Sequence, residues 1–182
     1  MLIVRYAKIV MSLVLASFCL LVTFDNITDY ATNYLFVEHV LSMDTTFPGN
    51  ALMYRSIDSP VLWQIAYAGI IAAEGATGAL FLAGAVRLFQ ARNAPAAVFN
   101  EAKALTIAAC VLAFLVWFLG FMVVAGEWFA MWQSATWNGQ EGAFRFYTAV
   151  LAVLIFVNQP DGDLSGAARA APKRRRTDKK KA

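Results

Sequence analysis

The sequence predicts an all-α protein, a bundle of four transmembrane helices with both termini cytoplasmic and an acidic periplasmic loop carrying a short amphipathic helix. Three observations predict it. The chain is 60% hydrophobic and only 15% charged, with a mean hydropathy of +0.58, too apolar for an ordinary soluble domain. Its apolar residues gather into four runs of about the length needed to cross ~30 Å of hydrocarbon. The connections between runs alternate in charge, basic on one side and acidic on the other, as the positive-inside rule demands.

The first run, Ile9 to Phe24, follows Arg5 and Lys8 and has no small-residue cleavage site after it. It reads as a retained anchor rather than a secretory signal, with a span of about residues 2–24 once the two cations snorkel to the interface. Residues 25–60 are acidic, with Asp25, Asp29, Glu38, Asp44 and Asp58 against Arg55, and belong outside. Within them Tyr34, Phe36, Val37, Val40, Leu41 and Met43 suggest a short amphipathic helix at the membrane surface. Pro48-Gly49 then marks a turn.

The second span, about residues 61–86, is opened by Trp63 and closed by Arg87. Asn93-Ala94-Pro95 breaks the helix, and Arg87, Arg92 and Lys103 make this connection basic and therefore cytoplasmic. The third span, about residues 104–126, carries no charge. Trp128, Trp132 and Trp137 follow it and mark the opposite interface, where amphipathic rings prefer to lie. The fourth span, about residues 143–158, is short, at roughly 24 Å of helix. Residues 1–158 thus form the membrane domain, and residues 159–182 read as a disordered basic cytoplasmic tail.

That tail holds most of the basicity. From Asp161 onward eight Lys/Arg stand against three Asp, whereas the preceding residues hold seven Lys/Arg and nine Asp/Glu. The net charge of +3 is therefore no sign of a nucleic-acid surface. Arg174, Arg175, Arg176, Lys179, Lys180 and Lys181 could bind anionic lipid at ~1 kcal/mol each. Cys19 and Cys110 lie inside apolar runs and read as buried thiols, and a single histidine excludes a haem held between two histidines of this chain. No cofactor is expected.

Glu74 is the residue that the spans must house. At 1.5 Å per residue it lies roughly 16 Å from Trp63, about half-way through the hydrocarbon, where an unpaired charge costs at least a few kcal/mol. Tyr67 and Thr77 share its helical face, and Gly69, Ala72, Ala73, Gly75, Ala76, Gly78 and Ala79 would let another helix approach. It is either a hydrogen-bonded tie between helices or a proton or ion carrier. Asp25, Asp29 and Asn33 would form one face if the first helix runs on, beside Asn26, and could meet Gln133, Asn138 and Glu141 as a periplasmic cap. His39 with Glu38 and Asp44 offers metal-compatible donors, although adjacent helical residues point about 100° apart and a metal needs convergent ligands.

The segments Phe24-Asp25-Asn26-Ile27-Thr28-Asp29-Tyr30, Val40-Leu41-Ser42-Met43-Asp44-Thr45-Thr46-Phe47-Pro48-Gly49-Asn50 and Gly126-Glu127-Trp128-Phe129-Ala130-Met131-Trp132-Gln133-Ser134, with Thr136 to Glu141, resemble the signature stretches of a bacterial family of predicted small integral membrane proteins of unknown function. The resemblance covers about residues 1–158, implies a bacterial inner-membrane setting and supplies no catalytic residue. No nucleophile–base pair, phosphate loop or metal motif appears, which argues against an enzyme. Three readings follow: an accessory or structural subunit that binds another membrane protein, or itself, through helix faces and the cap; a small transporter or proton-conducting subunit using Glu74; and a periplasmic-face ligand or metal binder.

Overall fold

Residues 2–164 are described by a computed structural model in which, among the described residues, all regular structure is helical. Helix α1, Leu2–Thr28, outruns its apolar core because Asp25 to Thr28 stay helical after the hydrophobic run stops. It breaks at Asp29, whose φ of −112° and ψ of 53° leave the helix, and α2, Tyr30–Ser42, starts at once. The amphipathic helix expected in the acidic loop is thus longer than predicted and almost continuous with α1. Met43 ends it in the left-handed region, at φ 57°.

Helix α3, Pro60–Gln90, begins on a proline, whose fixed φ suits a first turn and whose missing N–H is not needed there. Its 31 residues make roughly 46 Å of helix, longer than the ~30 Å of a hydrocarbon layer. A short α4, Ala96–Glu101, follows Pro95 and leads into α5, Ala104–Phe114. The same rod continues through Leu115–Trp128 in wider π-helical turns, hydrogen bonds reaching five residues back, and Phe129 N–H still bonds Val124 O at 3.1 Å. Helix α6, Gln140–Asn158, starts three residues before its expected span. Four of these rods, Leu2–Thr28, Pro60–Gln90, Ala96–Trp128 and Gln140–Asn158, are long and apolar enough to cross a membrane.

Two sevenfold rhythms pack α1 on α3. Arg5, Ser12, Cys19 and Asn26 are buried on α1, and Tyr67, Glu74, Phe81 and Leu88 on α3; spacing of seven keeps each set on one stripe. Small residues set how closely the backbones approach. A Cβ on Gly78 would fall 2.8 Å from the Leu20 side chain, and one on Gly84 would fall 2.4 Å from Thr106 Oγ1 and 2.8 Å from its backbone nitrogen. Ser12 donates to Phe81 O at 3.0 Å and shares a hydrogen bond with Thr106 at 3.1 Å, tying α1, α3 and α5 together. Around them Cys19, Phe81, Ala109, Cys110, Phe146 and Val150 close the core.

The bundle has two unlike ends. The basic end gathers the start of α1, the end of α3, α4 and the end of α6. The tryptophan end gathers α2, the 43–59 loop and the 129–139 loop, where Val40, Met43, Phe129, Ala130 and Met131 form a separate apolar cluster.

The glycines give a direct test of this packing. Gly84→Ala should destabilise the fold by about 1–3 kcal/mol, since the new methyl meets backbone that cannot give way. Gly69→Ala, where a Cβ meets nothing within 4 Å, should be neutral or stabilising by up to about 1 kcal/mol, because alanine favours the helix. Thermal unfolding in mild detergent separates them; equal melting temperatures would refute the close-approach account.

Candidate functional site

The candidate site forms where α1 ends, because the sevenfold rhythm that buries Ser12 and Cys19 delivers Asn26 to the flank of α3. Asn26 Nδ2 donates to Glu74 Oε2 at 2.7 Å. The amide oxygen of Asn26 accepts from Asn33 Nδ2, also at 2.7 Å, and Tyr67 donates its hydroxyl to the Asn26 backbone carbonyl at 3.0 Å. Tyr67 and Glu74 therefore converge on Asn26 rather than on each other. Thr77 shares their face but turns back to its own helix, donating to Ala73 O at 2.7 Å.

Glu74 is 3% exposed, and among the described residues Asn26 supplies the single side-chain hydrogen bond that its carboxylate accepts. The rest of the carboxylate faces a cavity of about 360 Å³ whose walls include Asp25, Asn26 and Asn33 with the rings of Phe36, Tyr67, Trp117 and Phe121. Among the described residues no Lys, Arg or His side chain lines it. Beside it, between α3 and the π-helical segment, lies a second cavity of about 390 Å³ lined by apolar residues and glycine.

Glu74 lies near the middle of α3, fourteen positions after Pro60 and sixteen before Gln90. Leu88 packs at the basic end with Ile9 and Phe99, and Glu74 is fourteen positions from it, or roughly 21 Å along the helix. It stands opposite the last turn of α1, toward the tryptophan end.

The expected polar stripe is rearranged. Asn26 and Asn33, on either side of the break at Asp29, both turn to the cavity, while Asp25 stands exposed at its rim and Asp29, also exposed, accepts from Thr32 at 2.9 Å. None of these meets Gln133, Asn138 or Glu141. Gln133 Oε1 accepts from the Phe47 N–H at 3.0 Å, Asn138 accepts from the Gln140 N–H at 3.0 Å, and Glu141 pairs with Arg145 one turn along α6. The cap that exists joins the 43–47 turn to the 131–137 loop, with Thr45 donating to Ser134 Oγ at 2.9 Å. His39 Nδ1 lies 2.8 Å from Asp44 Oδ2, and its ring stacks on Trp137 at 4.6 Å. Among the described residues no three His, Cys, Asp or Glu side chains converge as a metal site would require.

The basic end holds a cluster that sequence reasoning missed. Arg5 and Lys8 do not snorkel; they are 0% and 1% exposed. Arg5 donates to the carbonyls of Arg92, Ala94 and Gly162, and Lys8 and Lys103 both reach Gln159 O and Asp161 Oδ2, at 2.5–2.7 Å. Asn100 brackets the Asp161 backbone, and Asp163 accepts from the Ala96 N–H at 2.7 Å. Residues 159–163, assigned by sequence to the disordered tail, are instead stitched across the end of the bundle. Carbonyls at the interrupted helix ends need donors, and buried Lys and Arg need acceptors; each supplies the other. The cations Arg174, Arg175, Arg176, Lys179, Lys180 and Lys181 lie outside the described residues.

A family model described as a predicted small integral membrane protein matches residues 4–160, nearly the whole described chain. No curated protein and no solved structure matches.

Asp161 supplies the test of the basic end. Burial alone would raise its carboxyl, but the hydrogen bonds and charges of Lys103 and Lys8 outweigh burial and hold it below the usual carboxylate range. A carboxyl depressed by folding adds stability that is complete above its unfolded pKa and lost as the pH falls through its folded one. Strong acidification should therefore release residues 159–163, seen as faster hydrogen exchange there. Asp161→Asn should release them at neutral pH, because it leaves two buried ammonium groups without a counter-charge, at a cost of about 3–5 kcal/mol. Exchange rates that stay unchanged in both experiments would refute the latch.

Proposed function

We propose, for a chain that belongs to the family of predicted small integral membrane proteins (DUF2165), that it is a non-enzymatic binding protein of the bacterial inner membrane whose cavity around Glu74 receives a cationic group. The observation that carries this reading is the half-satisfied carboxylate. A glutamate that merely ties helices would spend both oxygens on donors from its neighbours, since buried polar groups are normally paired. Here Asn26 holds one, and the other side of the group is left to a cavity with a second carboxylate at its rim. Four aromatic rings complete the walls, and the face of an aromatic ring attracts a desolvated cation by ~2 kcal/mol.

The surroundings favour a one-sided site over a conduit. Between Glu74 and the basic end the core is filled by Cys19, Phe81, Ala109, Cys110 and Ala113, with the Ser12–Thr106 pair as its main polar interruption. A proton or ion route would need a chain of polar or wet positions there. Loop charge favours the periplasm for the tryptophan end, and the cationic group would then arrive from that side or from the outer half of the bilayer. As an accessory subunit, the protein would present this site to a larger membrane assembly.

Binding of tetramethylammonium to the purified protein in lipid nanodiscs tests the reading. Saturable binding is expected, and Glu74→Gln, which keeps the acceptor for Asn26 but removes the charge, should weaken it at least about tenfold, consistent with the cost of breaking a buried ionic contact. Equal binding by the two proteins, or none by the wild type with its fold intact, would overturn it.

A further inference from the structure

Resting on that cation site, we infer that the natural ligand is a single-chain amphiphile: its cationic head sits against Glu74 and its apolar chain lies in the cleft between α3 and the π-helical segment. The two cavities share Phe36, Val37, Ile70 and Phe121, so what separates them is one layer of side chains. One cavity is built for charge and the other offers nothing but hydrocarbon. A ligand that fills both must be charged at one end and apolar along the other.

The cleft is an open space in the fold rather than a lapse of packing at random. Toward the basic end, α3 and α5 touch so closely that Gly84 cannot carry a methyl. Toward the tryptophan end the rod has become a π-helix, and the two elements part. Two glycines mark the gap from its two sides. A Cβ on Gly69 would meet nothing within 4 Å, and one on Gly120 would meet just the Leu115 carbonyl at 3.9 Å. These glycines bring no helix closer; they keep the slot empty. Its volume of about 390 Å³ falls at the lower end of the ~300–1,000 Å³ typical of small-ligand pockets. A helix, ~10–12 Å across, could cover such a slot but not enter it.

Charge selects the head. The head cavity carries two carboxylates, Glu74 deep and Asp25 at the rim, and among the described residues no lining cation. An anionic or uncharged head would leave Glu74 buried without a partner, and a cationic one supplies it. In a bilayer the chain leaves one hydrocarbon setting for another, so it gains little from hydrophobic transfer. Specificity therefore rests on the head, and the cleft decides which side the ligand comes from.

The test uses the full chain in phosphatidylglycerol nanodiscs with dodecylamine carrying a photoreactive diazirine at its far end, and the N-acetylated form as an uncharged control. The amine should label residues 66–73 and 115–125. Acetylation, or Glu74→Gln, should reduce that labelling at least about tenfold, as expected for loss of a desolvated charge contact. Gly69→Leu, and separately Gly120→Leu, should block the cleft and reduce labelling there while leaving tetramethylammonium binding intact. Retained labelling in both leucine variants, or labelling spread over the outer faces of the helices regardless of charge, would overturn the amphiphile while the cation site stands. Loss of tetramethylammonium binding in folded leucine variants would show that the cleft and head cavity are not separable in this way and would overturn it too. If neither amine responds to Glu74→Gln, the cation site fails first and the amphiphile with it.

Discussion

A carboxylate buried among transmembrane helices has to be met by a donor, and the position of α1 against α3 is fixed by the donor that meets Glu74. Asn26 reaches it because α1 remains helical for one turn beyond its apolar run. The same turn exposes the Asn26 carbonyl to Tyr67 and its amide oxygen to Asn33. One residue therefore joins α1, α2 and α3. The break at Asp29 follows immediately and lets α2 fold across the end of the bundle, where Phe36 and Val37 become walls of both cavities.

The opposite end is held by other means. There the buried charges meet acceptors: two lysines share one aspartate, and an arginine spans three carbonyls through its two terminal nitrogens while its Nε finds no partner among the described residues. Such a cluster costs much desolvation and adds little net stability; what it contributes is geometry, since the first turns of α1, the last turns of α3, the α4 turn and residues 159–163 must all be in place for any of them to be satisfied. A fixed basic end and tight glycine contacts in the middle leave the tryptophan end as the place where helices diverge. Empty space and an under-satisfied carboxylate occur together there, and that conjunction is what makes it the functional candidate.

Much of the fold was legible along the chain. Four apolar runs, the Pro-bearing break at Pro95, and the clusters of tryptophan gave the helices and their order, because crossing hydrocarbon demands long uninterrupted helices whatever they pack against. Glu74 also announced itself, since a charge in such a run is costly and conspicuous. Asn26 did not, although the spacing Arg5, Ser12, Cys19, Asn26, Asn33 could have revealed it: five polar or small residues at intervals of seven mark one stripe. Asp25 and Asp29 stand out by charge, but phase decides which side chains face inward.

By itself, then, the sequence determined the membrane class, the number of spanning helices, the presence of a carboxylate within them and the contrast between a basic and an acidic, aromatic end. These depend on local composition and on the bilayer as solvent. The tertiary structure alone decided that Asn26 and not Tyr67 meets Glu74, that Lys8 and Lys103 bury Asp161, that Gly84 closes a contact where Gly69 leaves one open, and that α5 widens into a π-helix beside a cleft. Each of these depends on the rotation and separation of helices far apart in the chain, and periodicity fixes a helix's stripe without fixing which partner, at what distance, will lie against it.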